Sequence, residues 1–137
     1  MWRDMVAAMH PAAALFPPTD LDTIRAAEAT LGQPLPEDLI AFLLECDGVE
    51  GSFGTGVVWP VERIAQDNRR MRHSTEHAQR FMPLDPLLFF ADDGARQHYG
   101  VVREPLRDDV FVWDRADDSR RWFARNLEEY LRRALRA

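Results

Sequence analysis

Apolar residues recur every three to four positions over the first third of the chain and in strand-like runs over the last third, so helices come first and strands later. Trp2 to Met9 reads as a short helix ended by Pro11. After Pro17-Pro18, Thr19 or Asp20 can cap a segment carrying Leu21, Ile24, Ala27 and Leu31 at helical spacing, and Gly32 closes it. Pro34-Leu35-Pro36-Glu37-Asp38 opens the next helix with prolines and first-turn acids. Leu39, Ile40, Phe42, Leu43 and Cys46 form its apolar face, and Gly48 ends it. Two helices joined by so short an elbow must pack together.

The period changes at Gly51. Gly51-Ser52-Phe53-Gly54-Thr55-Gly56 reads as a flexible connection into a short strand, Val57-Val58-Trp59. A mostly polar helix follows from Val61 to about Arg72, with Ile64, Ala65 and Met71 as its buried stripe. Beyond Pro86 the pattern predicts strands at Leu87 to Ala91, Gln97 to Arg103, Asp109 to Trp113 and Arg120 to Ala124. Turn-forming residues link them into an antiparallel meander, and Asn126 caps a last amphipathic helix through Leu127, Tyr130, Leu131 and Leu135. The expected fold class is α+β: a twisted antiparallel sheet of four to five strands flanked by N-terminal helices, a connecting helix and a C-terminal helix. At 137 residues, 1–137 reads as a single domain.

Composition narrows the function classes. With 46% hydrophobic and 29% charged residues, the chain has enough apolar mass for one core. Its 17 basic residues, all Arg, stand against 23 acids for a net charge of −6, which argues against nucleic-acid binding through bulk charge. The charge is patchy: residues 1–59 carry 2 Arg and 9 acids, whereas residues 119–137 carry 6 Arg and 2 acids. No apolar run is long enough to span a membrane, Asp4 stands where a secretory signal would want basic residues, and a lone Cys46 makes no internal disulfide. A soluble cytoplasmic protein is expected, with no membrane partner.

Against these elements, Leu31-Gly32-Gln33-Pro34-Leu35-Pro36-Glu37-Asp38-Leu39 followed by Cys46-Asp47-Gly48 resembles the LG-x-x-LP-x-x-L … N-G signature of the SUKH superfamily. Trp59-Pro60-Val61-Glu62-Arg63-Ile64-Ala65 is similar to its strand-to-helix junction. Pro86 to Gly94 is similar to its apolar strand ending in Asp-Gly, and Val110-Phe111-Val112-Trp113-Asp114 to the next strand. The likeness runs from about Leu21 to Leu135. Two departures stand out: Asp47 replaces the usual Asn, where it can make the same side-chain-to-backbone turn contact, and Ala95-Arg96 replace a glycine after the Asp-Gly turn. The superfamily includes fungal cell-wall assembly regulators and bacterial immunity proteins. The resemblance implies an α+β binding domain without catalytic chemistry, in bacteria an intracellular protein that neutralises a toxin from a competitor.

Residues with catalytic potential have plainer readings. His73-Ser74-Thr75-Glu76-His77 matches the H-x-x-E-H string of inverted zinc peptidases, but it sits among Arg69, Arg70, Arg72 and Arg80 with hardly any apolar stripe, as a solvated linker would. Cys46 on an apolar helix face reads as a small buried hydrophobe, and His98 as a hydrogen-bonded structural residue. Lys is absent, so no Lys-dependent phosphate loop exists. No cofactor or metal is expected.

The Asp pairs matter as electrostatics. Alternate turns of a meander share one end, so Asp92, Asp93, Asp117 and Asp118, joined by Asp114, should cluster there, with Asp108 and Asp109 opposite. Such a cluster would draw in a basic partner; equally, Asp simply forms turns, with Arg96 and Arg115 nearby. Trp59, at the mouth of the glycine-rich loop, is the tryptophan singled out for partner contact. The leading expectation is a non-enzymatic immunity protein that binds and occludes a basic toxin domain, through candidate residues Trp59, Asp92, Asp93, Asp114, Asp117 and Asp118. The alternatives are a regulatory scaffold of the cell-wall assembly regulator type and a small zinc hydrolase using His73, Glu76 and His77. Partner identity and oligomeric state are not encoded in any visible motif.

Overall fold

A computed structural model describes residues 1–76 and 82–135. Among them five α-helices surround two antiparallel sheets. Helix α1 (Trp2–Met9) leads to strand β1 (Ala14–Leu15), then α2 (Leu21–Leu31) and α3 (Glu37–Glu45). Strand β2 (Val49–Glu50), a 3₁₀ turn (Ser52–Gly54) and β3 (Gly56–Val58) precede α4 (Val61–Arg72). The meander is β4 (Leu87–Asp92), β5 (Gln97–Val102), β6 (Val110–Asp114) and β7 (Ser119–Ala124), followed by α5 (Leu127–Ala134). This is the expected α+β architecture, with the strands divided between a β1-β2-β3 sheet and a β4-β5-β6-β7 sheet. The two sheets adjoin where the Trp59 N–H donates to the Phe90 carbonyl at 2.8 Å.

Local signals explain most boundaries. Asp20 accepts from the Thr23 N–H at the start of α2, and Gly32 takes the left-handed conformation at its end (φ 67°). Other helix starts are held from a distance. Pro36 and Pro60 precede α3 and α4 and make no side-chain cap. At α4 the missing cap comes from Asp47, whose Oδ1 accepts the Val61 N–H at 2.8 Å. The contact expected of Asp47 within its own turn is therefore replaced by one fourteen residues downstream. At α5, Asn126 caps Glu129, and Asp38 of α3 accepts the Leu127 N–H at 3.2 Å.

The core joins Trp2 and Val6 of α1, Ile24 and Ala27 of α2, and Leu39, Phe42 and Leu43 of α3 to Ile64 of α4 and the strand residues Leu88 to Ala91. Asn68 is buried in α4 and replaces a strand partner for β4: its amide donates to the Phe89 carbonyl while its Oδ1 accepts the Phe89 N–H, both at 2.7 Å. Arg72 ties α4 to α2 and β4 by donating to the Leu31 and Leu87 carbonyls and to Gln33 Oε1. Cys46 is fully buried, its thiol donating to the Gly48 carbonyl at 3.1 Å, and burial pushes the thiol up. It is a structural residue.

Candidate interaction site

Pairing of Asp92 with His98, Gln97 with Asp114, and Asp114 with Ser119 places the β4–β5 and β6–β7 turns at one end of the meander. Asp92, Asp93, Asp114, Asp117 and Asp118 are all there, but they divide into two kinds. Three have side chains only 11–12% exposed and are consumed by internal bonds. Asp92 Oδ2 accepts from Trp59 Nε1 and from Arg63, both at 2.8 Å. Asp114 Oδ2 accepts from Arg96 Nε at 3.0 Å. Asp118 Oδ1 accepts from Trp113 Nε1 at 2.6 Å and from Arg120 at 3.0 Å. Burial works against ionisation of Asp118, yet the bonds from Trp113 and Arg120 outweigh it and hold its carboxyl below the usual range.

Asp93 and Asp117 are the exposed pair. Asp93 Oδ1 accepts the N–H groups of Ala95 and Gln97 at 2.8 and 3.1 Å, and this closes the turn in which Ala95-Arg96 stand. Asp117 Oδ1 accepts from the Ser119 N–H, which lowers its carboxyl pKa. The field at this end of the sheet therefore comes mainly from two carboxylates rather than five, since the other three face Arg63, Arg96 and Arg120.

Trp59 needs a correction. It is 0% exposed, its indole is hydrogen-bonded to Asp92, the Arg63 guanidinium lies 4.3 Å from its ring centre, and His98 meets its edge at 5.8 Å. Its place is in the core, where it positions Asp92 and Arg63; it offers no face to a partner. The aromatic side chain at this site is Phe53, which the pattern of the sequence did not single out. Phe53 is fully exposed at the apex of the 51–56 loop and has φ 60°, a left-handed conformation costing a bulky residue roughly 1–2 kcal/mol. The loop is not a flexible tether. Gly51 N–H bonds the Thr55 carbonyl at 2.9 Å, and Thr55 bonds the Ser52 carbonyl through both its N–H and its hydroxyl. The one hint in the sequence was a large apolar residue isolated among Gly, Ser and Thr.

Beside this loop lies a cleft of about 400 Å³, bounded by Ser52, Thr55, Asp93, Tyr99, Phe123 and Arg133 among others. Its floor is aromatic: Tyr99 packs against Phe123 at 4.9 Å and Tyr130 at 5.2 Å between ring centres. Tyr130 is buried and donates to the Val57 carbonyl at 2.6 Å; burial raises its phenol well above the ordinary value.

The zinc string falls only partly within the described residues. His73 is the exposed C-cap of α4, Glu76 is exposed, and His77 lies outside the described residues. Among the described residues no group of three His, Cys, Asp or Glu side chains is placed to hold a metal ion. No described helix is long and apolar enough to cross a membrane.

A family model for the SMI1 / KNR4 family (SUKH-1) matches residues 18–133. The chain belongs to the SUKH-1 family. The match spans α2 through nearly all of α5 and so includes the Asp47-Gly48 turn, the Trp59-Pro60 junction and the Asp92-Asp93-Gly94 turn. Membership makes this a SUKH domain, in which Asp47, Trp59 and Asp92 hold helix, loop and turn in place. No curated protein matches the chain.

Proposed function

We propose that this SUKH domain is a cytoplasmic immunity protein that neutralises a cognate toxin by binding and covering its basic active face. The observation carrying this reading is Phe53: a fully exposed aromatic ring, in a strained backbone conformation, on a hydrogen-bonded loop whose Ser52 and Thr55 line one cleft with the exposed Asp93. A rigid aromatic anchor loses little entropy on binding, and nearby acids speed capture of a positive partner. Asp117 adds to the field from the neighbouring turn. Family membership supports action through protein–protein contact.

The test is co-expression with the toxin encoded beside this gene. Growth should be rescued by the intact chain and lost with Phe53→Ala, a change at a fully exposed position outside the core. If the intact chain gives no rescue, the toxin reading fails. The internal neutralisation of Asp92, Asp114 and Asp118 favours a second reading, a regulatory scaffold of the cell-wall assembly regulator type, because it weakens the case for strong electrostatic capture. Under that reading the same Phe53 face would hold an endogenous partner, and a native-lysate pull-down would recover it in cells lacking any toxin gene.

A further inference from the structure

The cleft beside the 51–56 loop has a chemistry of its own. Its floor is the Tyr99–Phe123–Tyr130 ring cluster, and its rim carries Asp93, whose Oδ1 serves the turn while its Oδ2 makes no bond among the described residues. The last turn of α5, at Arg133, Ala134 and Leu135, forms another wall and presents the negative end of a helix dipole. Arg133 is the fixed cation among the described lining residues. Its guanidinium lies 3.7 Å from Glu129 Oε1, which offsets its charge, and 5.9 Å from the Trp122 ring centre. Aromatic faces, a carboxylate oxygen with lone pairs to accept and helix-end carbonyls together suit a planar cation with an apolar stem.

We propose that the cleft seats an arginine side chain presented by the protein partner, its guanidinium on Asp93 and its stem over Tyr99 and Phe123, while Phe53 packs on the partner surface alongside. The inference rests on the protein-binding reading above and names what that site takes. A volume of about 400 Å³ is in the range of pockets that hold small molecules, ample for one long side chain together with part of its backbone.

The test needs no toxin. The whole chain, labelled with ¹⁵N, is titrated with the tripeptide acetyl-Gly-Arg-Gly-amide and, separately, with its citrulline counterpart, which keeps the shape and loses the charge. The arginine peptide should give saturable shifts at the amides of residues 52–55, Gly94 and Tyr99, and citrulline should bind about tenfold more weakly. Asp93→Asn keeps the Oδ1 acceptor of the turn, so the fold stands; it should cut arginine affinity about tenfold and leave the citrulline peptide unaffected. Equal binding of the two peptides, or no saturable shift at these amides, overturns the inference. Failure here with successful toxin rescue removes the arginine cleft alone. Peptide binding without rescue removes the toxin reading and keeps the cleft.

Discussion

Trp59 and Asp92 share a 2.8 Å hydrogen bond across the junction of the two sheets, although 33 residues separate them. The bond fixes the β4–β5 turn, and with it Asp93, against the end of β3. Gly56 faces it so closely that an added Cβ would lie 2.7 Å from Trp59 Cδ1 and 3.0 Å from Asp92 Oδ2. Trp59→Phe should cost about 1–2 kcal/mol, for the lost donor and ring volume. Gly56→Ala should cost more than Trp59→Phe, because a buried indole must move rather than lose one bond. Urea unfolding of the two variants measures both.

Asn68 satisfies the N–H and C=O of Phe89, so its replacement strands two buried backbone groups. Asn68→Ala should lower stability by about 2–4 kcal/mol, more than a cavity of that size alone would cost. Asn68→Asp should be no milder, since a carboxylate can accept but cannot donate to the Phe89 carbonyl. Denaturant midpoints at constant slope would show it.

Arg72 donates from three directions to oxygens on α2, on the segment after it and on β4, and burial pushes its guanidinium pKa down. Lysine keeps the charge but offers a single compact head. Arg72→Lys should therefore lose about 1.5–3 kcal/mol, despite being conservative in charge. A loss below that range in chemical unfolding would mean that water replaces the fork.

His98 lies against the edges and faces of Trp59, Phe89 and Trp113, and its buried Nδ1, expected to be hydrogen-bonded, has no partner among the described residues. Burial lowers its pKa from 6.5; Asp92 and Asp93 pull it upward and Arg115 and Arg63 push it further down. Between the folded value and 6.5 the unfolded chain binds a proton that the folded chain refuses, so stability rises with pH there. It is complete above the unfolded value and is lost as pH falls toward the folded one. Asp38 and Asp47, raised by burial, act with the opposite sign from 3.8 upward. His98→Phe should flatten the dependence below pH 6.5 and leave stability no lower above about pH 7, as urea midpoints at about pH 5 and about pH 7.5 would show.

Helix boundaries were legible wherever one residue type had a single local use, as with Asp20 at the head of α2 and Gly32 at its tail. The run Leu87 to Ala91 was legible as a strand because its apolar residues pack on both faces, and all are buried. Strands β1 and β2 were not: two residues carry no period, and only their pairing with each other and with β3 makes them strands. The candidate site was half legible. The turns that gather the five aspartates could be counted along the meander, but which carboxylates meet Arg63, Arg96 and Arg120 depends on contacts 2 to 29 residues apart in sequence. Nothing local marks Trp59 as buried, since its partner Asp92 lies 33 residues away, and no periodicity marks a solitary exposed ring such as Phe53.

The two long-range caps bear on the order in which the chain can mature. Asp38 lies in α3 and Asp47 in the turn after it, while the amides they close, Leu127 and Val61, emerge from the ribosome later. During synthesis α3 and the turn after it are therefore a docking template waiting for its cargo, and the second of its two clasps shuts only once Leu127, 89 residues after Asp38, has left the ribosome.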